Sequence, residues 1–483
     1  MQWRWRVCLA VIGAALCWLS AAFVALPRLV APVSFNQVPS TTAPTAAEAG
    51  NQAPLRNFRG NVYHIVFDPY QSEAYPYFLD KTPELNQLPF TYFPNFRTNS
   101  PRTYLSMAEL FAGDLYSADL SPESWHNAAL QNGMMDYLAN SGVRLNLYPH
   151  YPEYCYRGAL TCKTALNLQR ELLGDDRARQ TAVDLWFLKL IPDSLKRELK
   201  ARFGPPDEDT SKGDSFSNWD YGFSISTALS PSNLPGSPDE PYFAVQQFMR
   251  LLTDEDSRPA TGQYVFVHMM LPHPPLVLDG ECNYVGRRPA QALAVQEQYL
   301  QQVQCAHKLT TLLVKKLESL GRLDNSLIVV HGDHGNYWQP ADLGVLYKYH
   351  PLDVSVLRAD DDKADSSTWP SEMIEVRASA LLLIKFPGQS AASRSNKPAQ
   401  TIDIAPTILR YFDIDPGAMR GMSIQDMPES PARDPVFSAS TFLPQVSSAQ
   451  KVSRYRYVDG RWRFEEDIRI LADADQLFTI GSR

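Results

Sequence analysis

An apolar run that ends on two metal-binding residue types constrains this chain most. Residues 326–330 (SLIVV) are typical of a buried parallel strand, and the sequence HGDHG follows them directly. In open α/β sheets, the loops at the carboxyl ends of parallel strands bind ligands. Asp333 and His334 place a carboxylate beside an imidazole in such a loop, a pair that suits a divalent cation. An ordinary polar turn has the same composition, so other parts of the chain must decide between the two interpretations.

Two further apolar runs lead to polar side chains in the same way. Residues 61–67 (NVYHIVF) lead to Asp68, and residues 264–270 (YVFVHMM) contain His268 and lead to His273. Proline follows Asp68 and cannot continue a central strand, so Asp68 is expected at the carboxyl end of its strand. We therefore expect Asp68 and His273 on the same rim as the DHG loop. The alternatives are a turn aspartate before proline and a strand histidine that is simply part of the core.

A hydroxyl-rich loop followed by a helix supplies a candidate nucleophile. Residues 96–113 begin with polar side chains and continue with an apolar spacing that predicts a helix ending at a glycine. Thr103 falls near the start of this helix, where backbone N–H groups can hold a phosphate or a sulfate and where threonine also serves as an ordinary cap. The same stretch contains three alternative nucleophiles, which are Thr98, Ser100 and Ser106.

The composition is that of a large globular protein. Of the 483 residues, 44% are hydrophobic and 20% are charged, which is sufficient for one large core or two smaller ones. The formal net charge of -8 argues against a nucleic acid as partner. The sequence contains neither a P-loop nor a Gly-x-Gly-x-x-Gly fingerprint.

The chain divides into five predicted segments. Residues 1–6 carry two arginines, and residues 7–26 contain no charge, which predicts a transmembrane anchor with a cytoplasmic start or, alternatively, a cleaved signal segment. Residues 27–58 are rich in Pro, Ala and Thr and are expected to form a flexible linker. Residues 59–425 are the predicted catalytic domain, in which residues 130–142 are predicted to form a helix and the apolar residues 378–384 (ASALLLI) a strand. Residues 426–483 are a predicted extension with a β-hairpin around Asp-Gly.

The cysteines agree with export from the cytoplasm. Beyond the uncharged segment the chain has four cysteines, at 155, 162, 282 and 305. Proximity in sequence favours pairing Cys155 with Cys162 and Cys282 with Cys305. Four cysteines allow three connectivities, and four free buried thiols are a further alternative.

The motifs, taken in order, resemble those of the sulfatase-like branch of the alkaline phosphatase superfamily, which contains arylsulfatases, phosphoethanolamine transferases and lipoteichoic acid synthases. These proteins begin with a strand that ends on an acidic ligand, as at Asp68. Residues 103–106 (TYLS) are similar to the Thr-x-x-Ser motif, and residues 268–275 (HMMLPHPP) to His-x-x-x-x-His-x-Pro. Residues 333–335 (DHG) and residues 403–407 (DIAPT) match two later motifs. The resemblance covers about residues 61–421.

The resemblance implies a fold, a site and a cofactor. The implied fold is an alkaline-phosphatase-like three-layer α/β sandwich, with a central mainly parallel sheet flanked by helices and a small C-terminal antiparallel β element. The implied cofactor is one divalent metal ion; zinc or manganese fits best, and magnesium or calcium is an alternative. The implied roles are catalysis by Thr103 and His273, metal binding by Asp68, Thr103, Asp333 and His334, and substrate binding by His268, His273 and His350.

Two departures from the arylsulfatase pattern bear on the reaction. Arylsulfatases have a Cys or Ser that is matured to formylglycine, whereas this chain has Thr103, and Met107 stands in the place of their arginine. Both departures favour phosphoryl transfer over sulfate ester hydrolysis. In addition, proline follows Asp68 where sulfatases have a second aspartate, which argues against a calcium site of their kind.

The expected function is that of a metal-dependent phosphoryl-group transferase or hydrolase of the bacterial cell envelope. The expected location is the inner membrane, with a single pass and the catalytic domain in the periplasm or outside the cell. The expected partners are the membrane and a phosphorylated or sulfated lipid or glycan substrate, and the oligomeric state is left open. The alternatives are a sulfatase or phosphatase, and a non-catalytic envelope-binding protein on the same fold.

Overall fold

The computed structural model describes residues 58–117, 122–165, 167–168, 171, 240–335, 344–347, 365–429, 433–440 and 451–469. All of them belong to the compact unit Leu55–Arg483. The anchor predicted at residues 7–26 and almost all of the predicted linker lie outside the described residues. Among the helices that are described, none is both long and apolar enough to cross a membrane.

An eight-stranded sheet forms the centre of this unit. Its strands are β1 (Val62–Asp68), β2 (Thr91–Tyr92), β3 (Arg144–Tyr148), β4 (Thr161–Cys162), β5 (Gln263–Pro272), β6 (Leu327–Gly332), β7 (Leu382–Lys385) and β8 (Ser393–Arg394). Their order is β4-β3-β5-β1-β6-β7-β2-β8. The first five strands in this order pair in parallel, whereas β7 runs antiparallel to both β6 and β2. The mainly parallel central sheet predicted from the sequence is confirmed.

The strand register places three strand ends on one rim. Phe67 of β1 lies opposite Gly332 of β6, and Asp68 lies opposite Pro272 of β5. All residues of β1 and β5 are buried, as expected for parallel strands that are covered on both faces. The loops after β1, β5 and β6 therefore begin side by side.

Helices cover both faces of the sheet. They are Ala74–Leu79, Thr103–Ala112, Pro122–Asn132, Met134–Asn140, Glu240–Asp254, Arg287–Gln291, Val295–Ser319, Gly344–Tyr347, Ser371–Ala378 and Ile404–Tyr411. Ile65 and Phe67 point to one face of β1 and share a core with the long helix Val295–Ser319. Val66 points to the other face and shares a second core with the helix Thr103–Ala112. The alternation of strand side chains thus produces the three predicted layers.

Two element predictions are wrong in detail. A single helix was expected over residues 130–142, but the chain forms two helices separated by Gly133. Gly133 leaves the helical conformation, with φ -92° and ψ -145°. A Cβ there would lie 2.3 Å from the carbonyl oxygens of Ala129 and Phe111, so the close packing leaves no room for a side chain. A strand was expected over residues 378–384, but only Leu382–Lys385 is strand, because Ala378 completes a helix that the apolar sequence does not reveal.

A separate antiparallel sheet follows near the end of the chain. It consists of β9 (Val436–Ser440), β10 (Lys451–Val458) and β11 (Arg461–Arg469). Asp459 and Gly460 form the turn between β10 and β11, and both have positive φ, which confirms the predicted hairpin. Trp462 fixes this sheet to the helix Ser371–Ala378, since its indole Nε1 donates a hydrogen bond of 2.6 Å to Glu375.

Both predicted disulfides are confirmed. Cys155 is bonded to Cys162, and Cys282 is bonded to Cys305. The first bond closes the loop between β3 and β4 beside the rim. The second ties the segment after β5 to the helix Val295–Ser319.

Trp462→Phe should detach part of the small sheet. The substitution leaves one oxygen of the buried Glu375 without its donor, and we expect a loss of about 1–3 kcal/mol in the free energy of unfolding. Urea denaturation measures this loss. Phe464→Leu, at a residue that is 46% exposed on the same strand, is the control and should change stability by less than about 0.5 kcal/mol. Equal effects of the two substitutions would contradict the assigned contact.

Glu109→Gln should change the pH dependence of stability. Burial raises the pKa of Glu109 to about 8 from a usual value of 4.5. The stabilising effect of its neutral form is therefore complete below about pH 4.5 and is lost as the pH rises towards 8. A glutamine stays neutral, so the variant should gain stability over the wild type between pH 5 and pH 8, as measured by urea midpoints. Glu318→Gln on an exposed helix face is the control, and a pH-independent difference for Glu109→Gln would contradict the prediction.

Candidate active site

Three buried side chains gather on the rim at the ends of β1, β5 and β6. Ligand atoms of Asp68, His268 and Asp333 all lie within 4.8 Å of one another. Asp68 is the last residue of β1, His268 lies in the second half of β5, and Asp333 directly follows β6. At most 1% of each residue is exposed, so two carboxylates and an imidazole face one another away from bulk water.

His334 and Thr103 complete this group. His334 Nε2 lies 3.6 Å from Asp68 Oδ1 and 3.4 Å from Asp333 Oδ2. The Thr103 hydroxyl donates a hydrogen bond of 3.0 Å to Asp68 Oδ2, and its oxygen lies 3.4 Å from His334 Nε2. The four residues predicted as metal ligands therefore come together from three separate segments of the chain.

The loop after β6 fixes the orientation of His334. Its ring Nδ1 lies 2.8 Å from the carbonyl oxygen of Gly335, which can only accept, so Nδ1 carries the proton and Nε2 presents a lone pair to the carboxylates. Metal-binding histidines are usually held in this way. Ser106 donates a hydrogen bond of 2.5 Å to the carbonyl oxygen of Asp333, and the Gly335 amide donates one of 2.7 Å to the carbonyl oxygen of Arg377.

Thr103 is better placed for chemistry than the alternative hydroxyls. It is the first residue of the helix Thr103–Ala112 and is partly exposed. The three alternatives are fully buried, and Ser106 is engaged with the carbonyl of Asp333. Thr98 Oγ1 donates to the carbonyl of Ala378 at 3.3 Å. Among the four hydroxyls, Thr103 is the one hydrogen-bonded to a carboxylate of the group.

The polar atoms in this group fit a divalent cation. Asp68 Oδ1, Asp333 Oδ2 and both ring nitrogens of His268 are enclosed and have no hydrogen-bond partner among the described residues. Unpaired polar atoms of this kind are costly unless something coordinates them. Carboxylate and imidazole donors together suit zinc or manganese and are also compatible with magnesium.

The charges in the group show the same need for a cation. Burial and the negative charge of Asp68 raise the pKa of Asp333 well above its usual value. Burial alone would also raise the pKa of Asp68, but the neighbouring imidazole rings of His268, His273 and His334 lower it. Burial lowers the pKa of His334 to about 4, so its ring is neutral and able to act as a ligand. Asp333 therefore favours its protonated form while the two carboxyl groups face each other alone.

The remaining predicted histidines fall in different places. His273 follows β5, its Nδ1–H donates to the carbonyl oxygen of Pro274 at 2.6 Å, and it lies close enough to influence the pKa values of Asp68 and His334. His268, predicted to bind substrate, has its Nε2 3.6 Å from Asp68 Oδ2, which makes it a candidate metal ligand as well. His350, the third predicted substrate residue, lies outside the described residues.

His150 and Tyr154 also lie at the site, although neither was predicted from the sequence. His150 follows β3 and is buried, and burial together with the charges of His268 and His273 lowers its pKa to about 3. The ring of Tyr154 packs edge-on against His268, with centroids 5.4 Å apart. The sequence does contain one indication of His150, because the Pro-His dipeptide directly follows the strand that ends at Tyr148.

Fold and site together define a class of protein. A mainly parallel α/β sandwich with two carboxylates, histidines and a threonine at a helix start on one rim is a metal-binding hydrolase or transferase scaffold. A family model described as Sulfatase matches residues 61–414, and the chain belongs to this sulfatase family. The predicted family resemblance is thereby confirmed. Comparison with functionally curated sequences gives no match.

Several solved structures are similar over most of their length. Phosphonate monoester hydrolase from Silicibacter pomeroyi is 13% identical with a TM-score of 0.48, covering 84% of this chain and 88% of that one. The lipoteichoic acid synthase LtaP from Listeria monocytogenes is 13% identical with a TM-score of 0.45, covering 85% and 87%. The soluble domain of lipooligosaccharide phosphoethanolamine transferase A from Neisseria meningitidis is 12% identical with a TM-score of 0.42, covering 76% and 92%.

A divalent cation should stabilise the folded protein through Asp333. Binding to the folded state alone raises the stability by about 2.7 kcal/mol at a concentration one hundred times the dissociation constant. We expect saturating Mn²⁺ or Zn²⁺ to raise the melting temperature of the wild type and to have little effect on Asp333→Asn, as measured by calorimetry. Asp426→Asn, at an exposed ion pair, is the control and should respond like the wild type. A full metal response of Asp333→Asn would contradict the ligand assignment.

Proposed function

We propose that the protein is a metal-dependent phosphoryl transferase or hydrolase of the bacterial cell envelope that acts through Thr103. The observation that carries this proposal is the position of the Thr103 hydroxyl. It begins a helix, lies 3.0 Å from Asp68 Oδ2 and lies 3.4 Å from His334 Nε2. A hydroxyl held at a helix amino end, among metal-ligand side chains, is suited to attack an anionic phosphate.

The metal would be held by Asp68, Asp333 and His334, with His268 as a further candidate ligand. When bound, the cation supplies Lewis acidity that neutralises the charge of the phosphate under attack. Asp68 Oδ2 accepts the proton of the Thr103 hydroxyl in a hydrogen bond, and this contact fixes where the oxygen lone pairs can point. Desolvation by the surrounding buried side chains strengthens each of these electrostatic contacts.

The reaction proposed for Thr103 is a double displacement. Its Oγ1 forms a bond to phosphorus while the bond from phosphorus to the departing alcohol oxygen breaks, and the proton released from Oγ1 passes to Asp68 Oδ2, which accepts its hydrogen bond. Water or an acceptor alcohol then attacks the phosphothreonine and regenerates the hydroxyl. His273 and His150, on the β5 and β3 side of the rim, are the residues proposed to contact the departing or accepting oxygen.

Two features support phosphate over sulfate as the transferred group. Threonine cannot be matured to the formylglycine of arylsulfatases. Met107, which takes the place of their arginine, is fully buried and belongs to the core under the helix, so it supplies no charge to the site. Sulfate ester hydrolysis is the second candidate function, and membership of the sulfatase family favours it.

The envelope location rests on two observations. Two disulfides, Cys155–Cys162 and Cys282–Cys305, are typical of an oxidising compartment outside the cytoplasm. The uncharged stretch at residues 7–26, preceded by arginines, has the length of a membrane anchor. A phosphorylated lipid or glycan of the envelope is the proposed substrate class.

Thr103 should carry the phosphoryl group during turnover. We expect acid-quenched mixtures of the full chain with an aryl phosphodiester and Mn²⁺ to contain a peptide in which Thr103 carries the phosphoryl group together with its remaining ester substituent. Thr103→Ala should lose the adduct and reduce turnover by at least about 1000-fold, because the residual rate comes from binding and electrostatics alone. Ser100→Ala, which removes a rival hydroxyl three residues away, should keep the adduct if it folds normally.

Four outcomes would contradict this assignment. Turnover without an adduct would exclude the covalent step, and an adduct on Ser100 or Thr98 would move the nucleophile. Turnover of an aryl sulfate faster than of aryl phosphate and aryl phosphodiester would establish the sulfatase alternative. The envelope-binding alternative requires that none of the three substrates is turned over and that Asp333→Ala has no effect on metal binding.

A further inference from the structure

A buried chain of three polar side chains crosses the central strands beneath the active site. Tyr264 of β5 lies with its hydroxyl 2.8 Å from His64 Nδ1 on β1. His64 Nε2 lies 2.8 Å from His331 Nε2 on β6. His331 Nδ1 lies 2.8 Å from the carbonyl oxygen of Gly332. None of the three side chains is used by the proposed reaction.

The location of this chain is unusual for a parallel sheet. Central strands covered on both faces are normally apolar throughout, yet all three side chains are 0% exposed in the middle of the sheet. Strand side chains alternate between faces, so His64 points to the same face as Asp68, Tyr264 to that of His268 and His331 to that of Asp333. The polar chain thus forms the layer directly below the rim that holds the candidate metal ligands.

The hydrogen bonds of the chain have one direction. The carbonyl of Gly332 can only accept, so the proton of the neutral His331 ring is on Nδ1, and its Nε2 must accept from His64. The neutral ring of His64 then donates from Nε2 and accepts at Nδ1 from the Tyr264 hydroxyl. Burial lowers the pKa of His64 well below its usual value, in agreement with a neutral ring. Every donor of the three side chains therefore has one acceptor.

The chain of hydrogen bonds ends on the peptide group between Gly332 and Asp333. The carbonyl of Gly332 is bonded directly to the nitrogen of Asp333, and that nitrogen donates to the carbonyl of Phe67 at 3.2 Å. The amide of Gly332 donates to the carbonyl of Leu381 at 2.9 Å. A Cβ at Gly332 would lie 2.7 Å from the carbonyl oxygen of Tyr70, so the backbone is also closely packed there. With His331 holding the carbonyl, the peptide plane before Asp333 is fixed on both sides.

We propose that His64, His331 and Tyr264 are positioning residues that set the Asp333 carboxylate for metal binding by orienting the peptide between Gly332 and Asp333. This inference rests on the proposed metal site. Its physical basis is preorganisation. Removing a group that orients a metal ligand through hydrogen bonds typically changes the metal affinity by about 10–100-fold. The effect must appear in metal affinity and not only in stability.

The test compares Mn²⁺ binding by the full-chain variants using titration calorimetry. His64→Leu removes the donor to His331 and should raise the Kd for Mn²⁺ by about 10-fold. His64→Gln keeps an N–H donor and should recover most of the affinity. Tyr264→Phe removes the hydroxyl at the far end of the hydrogen-bond chain formed by Tyr264, His64 and His331, and should raise the Kd by a smaller factor.

Tyr63→Phe is the matched control for Tyr264→Phe. Tyr63 is the neighbour of His64 on β1 but points to the opposite face, where its buried hydroxyl donates a hydrogen bond of 2.5 Å to Glu255. Both substitutions remove a buried phenol hydroxyl and should lower the melting temperature, but only Tyr264→Phe should weaken Mn²⁺ binding. If His64→Leu does not fold, this tyrosine pair decides the question.

The outcomes separate this inference from the metal site on which it rests. A folded His64→Leu that binds Mn²⁺ as the wild type does, or equal Mn²⁺ affinities of the Tyr63→Phe and Tyr264→Phe variants, would overturn the positioning role. If the wild type and Asp333→Asn bind Mn²⁺ equally, or neither binds, the metal site itself is wrong and the inference falls with it.

Discussion

The repulsion between two buried carboxylates, Asp68 and Asp333, is the constraint on which this site depends. Their oxygens belong to a group of ligand atoms within 4.8 Å of one another, enclosed by protein. In a low-dielectric environment the two groups cannot both ionise without a compensating charge. A divalent cation would supply that charge and would coordinate the enclosed oxygen atoms of both residues, which have no hydrogen-bond partner among the described residues. The chemistry proposed for Thr103 depends on such a cation.

The fold brings this repulsive pair together through the register of three parallel strands. Asp68 ends β1 and Asp333 follows the adjacent strand β6, and the helix that starts at Thr103 packs on the same face. The stability of the large core on both faces of the sheet offsets the cost of holding the carboxylates close. The burial of apolar residues far from the site thus supplies the stability that holds its polar side chains in position.

The sequence predicted the parts of the site that have a local signature. Asp68 before proline, Thr103 at a helix start and Asp333-His334-Gly335 after a strand can each be recognised from a few neighbouring residues. His150 and the His64–His331 pair could not be recognised, because their roles arise from which strands become neighbours, and strand order is not encoded locally. The break at Gly133 was missed for a related reason, since the residue packs against the carbonyl oxygen of Phe111 in another helix, a contact that the local sequence does not show.

The most direct test of the proposed site is the position of the cation in the folded protein. An anomalous-scattering map from crystals of the chain grown with Mn²⁺ gives this position independently of activity. If the carboxylates hold the cation as proposed, one strong peak lies within about 2.0–2.3 Å of oxygen or nitrogen atoms of Asp68, Asp333 and His334. A map with no peak at these three residues, or with the cation bound elsewhere, would contradict it.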